Sequence, residues 1–165
     1  MDYKLVPLNL DMGRAEYEMY QEIPAKESGS TNLCHGLPFE VFPAWLENQM
    51  ARKHQTISFF DTPTTVYLLY ADGIPAGYVG IRTEIDENWK RWCGHIYYTL
   101  RPSFRGQGCG KAMLRLALEE CRKMGMRQVF VKASEGNTAS CRVIEANGGQ
   151  FTGHDGGSRF YTIAL

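Results

Sequence analysis

Three glycines crowd into five positions of the segment Pro102-Ser103-Phe104-Arg105-Gly106-Gln107-Gly108-Cys109-Gly110-Lys111. A strand-like run precedes them and a long helical pattern follows, so they stand at a strand-to-helix junction. Successive amide N–H groups at such a turn can point into one concavity, where the helix dipole adds partial positive charge. That arrangement can hold a diphosphate. Glycine suits it because a Cβ would meet phosphate oxygens approaching the backbone, or because the turn needs positive φ.

Three phosphate-binding designs use this junction, and the residues separate them. A nucleoside-triphosphate loop needs Gly-x-x-x-x-Gly-Lys followed by Ser or Thr for magnesium. Here Arg105 holds the first glycine's place and Ala112 follows Lys111. A dinucleotide fingerprint needs a glycine three residues after Gly110, where Met113 stands. The acyl-CoA pyrophosphate turn, Arg-x-x-Gly-x-Gly ahead of a helix, fits Arg105, Gly108 and Gly110, and it needs no metal.

These residues require particular elements around them. Tyr3 to Leu8 reads as a first strand, and Asp11 as the cap of a helix carrying Ala15, Tyr17, Met19 and Tyr20. Lys26 to Pro38 reads as a loop, and Phe39 to His54 as a helix, with Phe42, Trp45, Leu46 and Met50 three to four apart. Thr64 to Ala71 and Ile74 to Arg82 flank Asp72-Gly73, a hairpin signal. The polar stretch Asp86 to Arg91 turns the chain into a third strand, Cys93 to Arg101, which Pro102 ends. Gln107 to Met124 is the clearest helix, closed by Gly125. Gln128 to Ala133 is a strand, and Asn137 caps a helix running to about Ala146. Gln150 to Thr152 and Arg159 to Leu165 are closing strands. The order predicts a single α/β domain, 1–165, with a mixed sheet. The strands before Pro102 and Asn137 run parallel and splay, leaving a slot for an extended arm of ligand.

Composition narrows the function. Eighteen basic residues balance eighteen acidic ones, so the chain has no basic footprint for nucleic acid or an anionic membrane. The five cysteines are scattered, and the four histidines complete no zinc spacing. Free thiols, no leader at Met1-Asp2-Tyr3-Lys4-Leu5 and no apolar run near 20 residues lead to the expectation of a cytoplasmic protein without bound metal.

Taken together, the strand, the Arg-x-x-Gly-x-Gly turn, the helix, the next strand and the Asn137-led helix resemble the GNAT superfamily of N-acetyltransferases from Cys93 to Gly149. The hairpin Thr64 to Arg82 matches its antiparallel half. Gly94-His95-Ile96-Tyr97-Tyr98 with Leu100-Arg101-Pro102-Ser103 is similar to a subgroup of predicted bacterial acetyltransferases. The resemblance implies acetyl-CoA as co-substrate. Amides of Arg105, Gly106, Gln107, Gly108, Cys109, Gly110 and Lys111 would hold the pyrophosphate. Backbone groups of Tyr98 and Leu100 would pair with the pantetheine arm, and Asn137 would bind it from the other side, with Ser140 one helical turn on. The amide near Tyr98 could also polarise the thioester carbonyl.

Many family members place a tyrosine seven residues after this asparagine as acid to the leaving thiolate. Here that position is Ile144, and Tyr97, Tyr98 and Tyr161 are the replacements to consider. For the base, His95 lies where relatives often place one and has a suitable ordinary pKa, while Glu84 ends the neighbouring strand. The expected reaction is direct attack of a primary amine, from a small molecule or a peptide, in a ternary complex. An acyl-enzyme through Cys93, Cys109 or Cys141 lacks an obvious histidine partner. A non-catalytic acyl-CoA sensor is the alternative. Trp89 and Trp92 could line the acceptor mouth, and such domains often form homodimers.

Overall fold

The computed structural model describes residues 1–27 and 29–165. Its elements are β1 (Tyr3–Pro7), α1 (Arg14–Glu22), β2 (Lys26–Glu27), β3 (Ser30–Thr31), α2 (Phe42–Ala51), β4 (Thr64–Ala71), β5 (Ile74–Arg82), α3 (Glu87–Trp92), β6 (Ile96–Leu100), α4 (Cys109–Lys123), β7 (Gln128–Ser134), α5 (Thr138–Ala146), β8 (Gln150–Asp155) and β9 (Ser158–Ala164). One antiparallel sheet has the order β1-β4-β5-β6, and a second has the order β7-β9-β8.

The expected hairpin forms with the expected bounds. Asp72 and Gly73 both take positive φ, 50° and 79°, as a two-residue turn matching the strand twist requires. The central strand β5 is buried on both faces. Val79 and Ile81 pack into a core with Met113, Leu114, Ala117 and Leu118 of α4 and with Ile144 of α5. Val66, Leu68 and Tyr78 point the other way, against Met19, Tyr20, Phe42 and Leu46 of α1 and α2. The first sheet is therefore sandwiched between two helical layers.

Several boundaries differ from expectation for local reasons. The first long helix starts at Arg14, because the Glu16 carboxylate accepts the Gly13 N–H at 2.8 Å and Asp11 is left outside. The segment 39–54 is interrupted: 3-10 turns at Phe39–Val41 and Arg52–His54 flank α2. Asp86 starts a short helix where a turn was expected, its Oδ1 accepting the Trp89 N–H at 2.9 Å. The expected loop Lys26 to Pro38 contains the paired β2 and β3; its Ser28 lies outside the described residues.

The slot expected between the strands lies between β6 and β7. They are joined just ahead of β6, where His95 N–H donates to Phe130 C=O at 2.7 Å and Gly94 bridges Val131 within β7. A Cβ on Gly94 would sit 2.4 Å from that Phe130 oxygen, so this approach requires glycine. Beyond it the strands diverge, and residues from both line a common cavity. Among the described residues no helix is long and apolar enough to cross a membrane, and no group of three His, Cys, Asp or Glu could hold a metal.

Candidate active site

The glycine turn leads from a 3-10 turn at Pro102–Phe104 into α4, with Gly106 at φ 72° and Gly108, the helix N-cap, at φ 84°. Among the described residues, no backbone N–H from residue 106 to residue 111 has an intramolecular acceptor. Ala112 is the first residue to enter the helical ladder, donating to Gly108 C=O at 3.1 Å. The turn thus presents a row of free donors at the positive end of a 15-residue helix. A Cβ on Gly106 would meet nothing within 4 Å, and one on Gly108 only Tyr3 Oη at 3.9 Å, so their backbone angles favour glycine there. Gly110 differs. Its Cβ would come within 3.3 Å of Val143 Cγ2, so it also serves the contact between α4 and α5.

Arg105 has another task. Its N–H donates to Pro102 C=O, and its guanidinium grips both Glu27 carboxylate oxygens at 2.7 and 2.6 Å and donates to Leu100 C=O. It braces the turn against β2, and its charge already has a carboxylate partner.

The β6 backbone supplies a second set of free groups. Arg82 N–H bonds His95 C=O and Arg101 N–H bonds Ala76 C=O, which fixes residues 95, 97, 99 and 101 as those facing β5. Antiparallel pairing alternates, so the N–H groups of Tyr98 and Leu100 face the open edge. On the other wall, Asn137 caps α5, its Oδ1 accepting the Ser140 N–H at 3.1 Å. Its amide nitrogen has no intramolecular acceptor among the described residues and remains available to a ligand. Tyr98 reaches across from β6, its hydroxyl 2.8 Å from Ser140 Oγ. Burial pushes the Tyr98 hydroxyl up to about 12, with the Ser140 hydrogen bond offsetting part of the rise, so it keeps its proton.

These walls belong to a cavity of about 680 Å³. Its lining includes Tyr97, Tyr98, Ser134, Asn137 and Ser140 and extends to Tyr20, Trp45, Arg52, Asp61 and Arg82. Phe60 and Trp92, both exposed, also belong to it. Arg52 donates to Tyr97 Oη at 3.2 Å and to Asp61 Oδ1 at 3.3 Å. Arg82 lies 4.6 Å from the Tyr97 ring centre and 5.4 Å from that of Trp89, and donates to Gly94 C=O. Neither Arg52, Asp61 nor Arg82 was singled out from the sequence. Arg82 carried one signal, a charged residue ending an otherwise buried strand; Asp61 carried none.

The two residues nominated as base are not brought to the cavity. His95 is buried, stacks on Phe130, and its Nδ1 accepts the Phe130 N–H at 2.9 Å. Burial, aided by the charges of Arg82 and Lys90, pushes its pKa down to about 4. It is a neutral buttress joining β6 to β7, with its acceptor nitrogen occupied. Glu84 is exposed outside the cavity, and its backbone carbonyl accepts from Thr62 Oγ1. Ile144 points into the core, and the Tyr161 hydroxyl is held by Glu145 and Arg159.

Comparison with known proteins accords with this geometry. The chain resembles the solved structure of RimL, a ribosomal L7/L12 α-N-protein acetyltransferase in complex with coenzyme A (18% identity, 99% of this chain and 94% of that one, TM-score 0.72). It also resembles the microcin C7 self-immunity acetyltransferase MccE in complex with acetyl-CoA and AMP (16%, 99% and 92%, 0.72). A third is the Campylobacter jejuni N-acetyltransferase PseH in complex with acetyl coenzyme A (10%, 99% and 99%, 0.64). At these identities the likeness is one of fold. No curated protein matches the chain. The profile of the acetyltransferase (GNAT) family matches residues 31–148, well over half the sequence, and the chain belongs to that family.

Proposed function

We propose that the protein transfers an acetyl group from acetyl-CoA to a primary amine by direct attack within a ternary complex. The observation that carries this is the row of unpartnered N–H groups at residues 106–111, suited to a pyrophosphate without a metal. Acetyl-CoA supplies an activated thioester. The free Leu100 N–H and Tyr98 C=O pair with the pantetheine arm as a neighbouring strand would, and Asn137 donates from the opposite wall. The Tyr98 amide polarises the thioester carbonyl.

The acceptor nitrogen forms a bond to the carbonyl carbon as the carbon–sulfur bond breaks. An ammonium and a thioester thereby give an amide, a thiol and one proton. Asp61 is the one carboxylate among the described lining residues. Arg52 and the Thr62 N–H hold its Oδ1, which leaves Oδ2 to receive the ammonium proton directly or through water. The Tyr98 hydroxyl, braced by Ser140, donates a hydrogen bond to the departing sulfur. A thiol is acidic enough to need little more.

Calorimetric titration tests the reading. Acetyl-CoA is expected to bind in the micromolar range, and free thiol is expected to appear only when an amine is added. Absence of heat with acetyl-CoA, or binding of ATP or NAD in its place, would overturn it.

A further inference from the structure

Among the described residues, three buried side-chain polar atoms lack a hydrogen-bond partner: Tyr20 Oη, Trp45 Nε1 and Arg82 Nε. All three belong to residues lining the cavity. Two of them can only donate. Buried polar groups are rarely left unmatched, because each costs its desolvation. Three among the residues of one cavity, two of them obligate donors, give its walls a surplus of donors over acceptors.

The charges agree. The lining carries Arg52, Arg82 and Lys132 against Asp61. Arg52 is matched by Asp61, and Lys132 Nζ donates to Trp92 C=O at 2.7 Å. Arg82 has no carboxylate within ion-pair distance among the described residues; one backbone carbonyl takes Nη1, and two aromatic rings hold the guanidinium in place. A largely buried cation without a counter-ion is costly, and an anion entering beside it removes that cost. Burial works against the Arg82 charge, as does the neighbouring Arg52, while Cys93, Tyr97 and, least, Asp61 support it. Arg82 and Asp61 thus offer opposite charges on the lining of one cavity. Along β6, the position opposite Arg82 and the Tyr98 amide are separated by three residues, about 10 Å of strand, so both ends of the acceptor fit within a short molecule.

Building on the acetyl-transfer reading, we infer that the acceptor is a small zwitterionic amine, its anionic group against Arg82 and its ammonium against Asp61. A polyamine is disfavoured on the same grounds, since its second ammonium would face the Arg82 guanidinium.

Matched acceptors test this on the native protein. Thiol release from acetyl-CoA is measured with glycine, β-alanine and 2-aminoethylphosphonate, with the carboxamides of the two amino acids, and with spermidine. Calorimetry with acetyl-CoA runs in parallel. The anionic amines are expected to exceed their carboxamides in kcat/KM by roughly 10- to 100-fold, the scale of one charge-assisted hydrogen-bonded pair. The carboxylate and phosphonate arms identify the anion. In Arg82→Gln the ratio between acid and carboxamide is expected to collapse towards one, whatever the absolute rate; a merely structural Arg82 would leave the ratio intact. Should that variant fail to fold, the native acid-to-carboxamide ratio still decides. Equal use of acids and carboxamides, or preference for spermidine, would overturn the inference. So would acetyl-CoA binding without turnover of any anionic amine. Absence of acetyl-CoA binding would instead remove the acetyl-transfer reading, and the inference with it.

Discussion

The ring of Tyr97 lies across Gly80 on the adjacent strand: a Cβ on Gly80 would sit 2.1 Å from Tyr97 Cε1. Only glycine leaves room for the ring, and the ring in turn carries Arg52 on its hydroxyl and Arg82 on its face. Gly80→Ala is therefore expected to dislodge Tyr97 and both arginines. Overpacking of this kind costs about 1–3 kcal/mol, a fall in Tm of roughly 3–10 °C. Thermal unfolding with acceptor KM checks it. An unchanged KM would detach Tyr97 from the acceptor site.

Gly108→Ala separates strain from binding. The added methyl meets nothing nearer than Tyr3 Oη at 3.9 Å, so the folded protein loses only the cost of positive φ, about 1–2 kcal/mol. If the turn cradles a diphosphate, acetyl-CoA affinity falls by more than that strain accounts for. Calorimetry beside thermal unfolding gives the comparison.

Tyr98→Phe removes one hydroxyl and leaves the β6 backbone in place. A lost hydrogen bond to the leaving sulfur is expected to lower kcat about 5- to 10-fold, with acetyl-CoA affinity unchanged because the arm is held by main-chain groups. With the hydroxyl up at about 12, no step in the rate profile below pH 10 is expected from Tyr98.

Asp61→Asn removes the cavity's carboxylate. The expected loss in kcat/KM is about 100-fold or more, the usual size of a positioned base. Steady-state thiol release measures it, and retention of full activity would send the search for the base elsewhere.

His95 makes a pH prediction about stability. Its folded pKa of about 4 lies below its ordinary 6.5, so between these values the unfolded chain binds more protons and stability rises with pH. The contribution is fully present above pH 6.5 and is lost as pH falls towards 4, at most about 3 kcal/mol. Denaturant unfolding across that window measures the slope. His95→Gln is expected to flatten it, and an equally steep slope in that variant would exclude His95 as its source.

Much of the scaffold was legible because it rests on local chemistry. The Asp72-Gly73 turn, the apolar face of α4 and the Asn137 cap are each specified by a few adjacent residues, and each formed where expected. The acceptor side was not legible. Arg52, Asp61 and Arg82 come from three separate segments and meet only through tertiary packing. His95 misled for a related reason: its type suggested a base, but its partner, the Phe130 N–H, lies 35 residues away. The Arg105 amide was expected among the pyrophosphate donors; its N–H donates to Pro102 C=O, and its side chain holds Glu27, 78 residues earlier in the chain.

Because β6 and β7 are bridged where Gly94 and His95, just ahead of β6, reach Phe130 and Val131 within β7, the molecule carries an open seam beyond that bridge. An extended guest lying in that seam converts a bare strand edge into an interior one, and so does more than fill a hole. The empty protein exposes a margin to which another chain could add; the loaded protein does not. Occupancy is thus expected to act as a solubility switch, with self-association at high concentration suppressed by acetyl-CoA even when no acceptor is present.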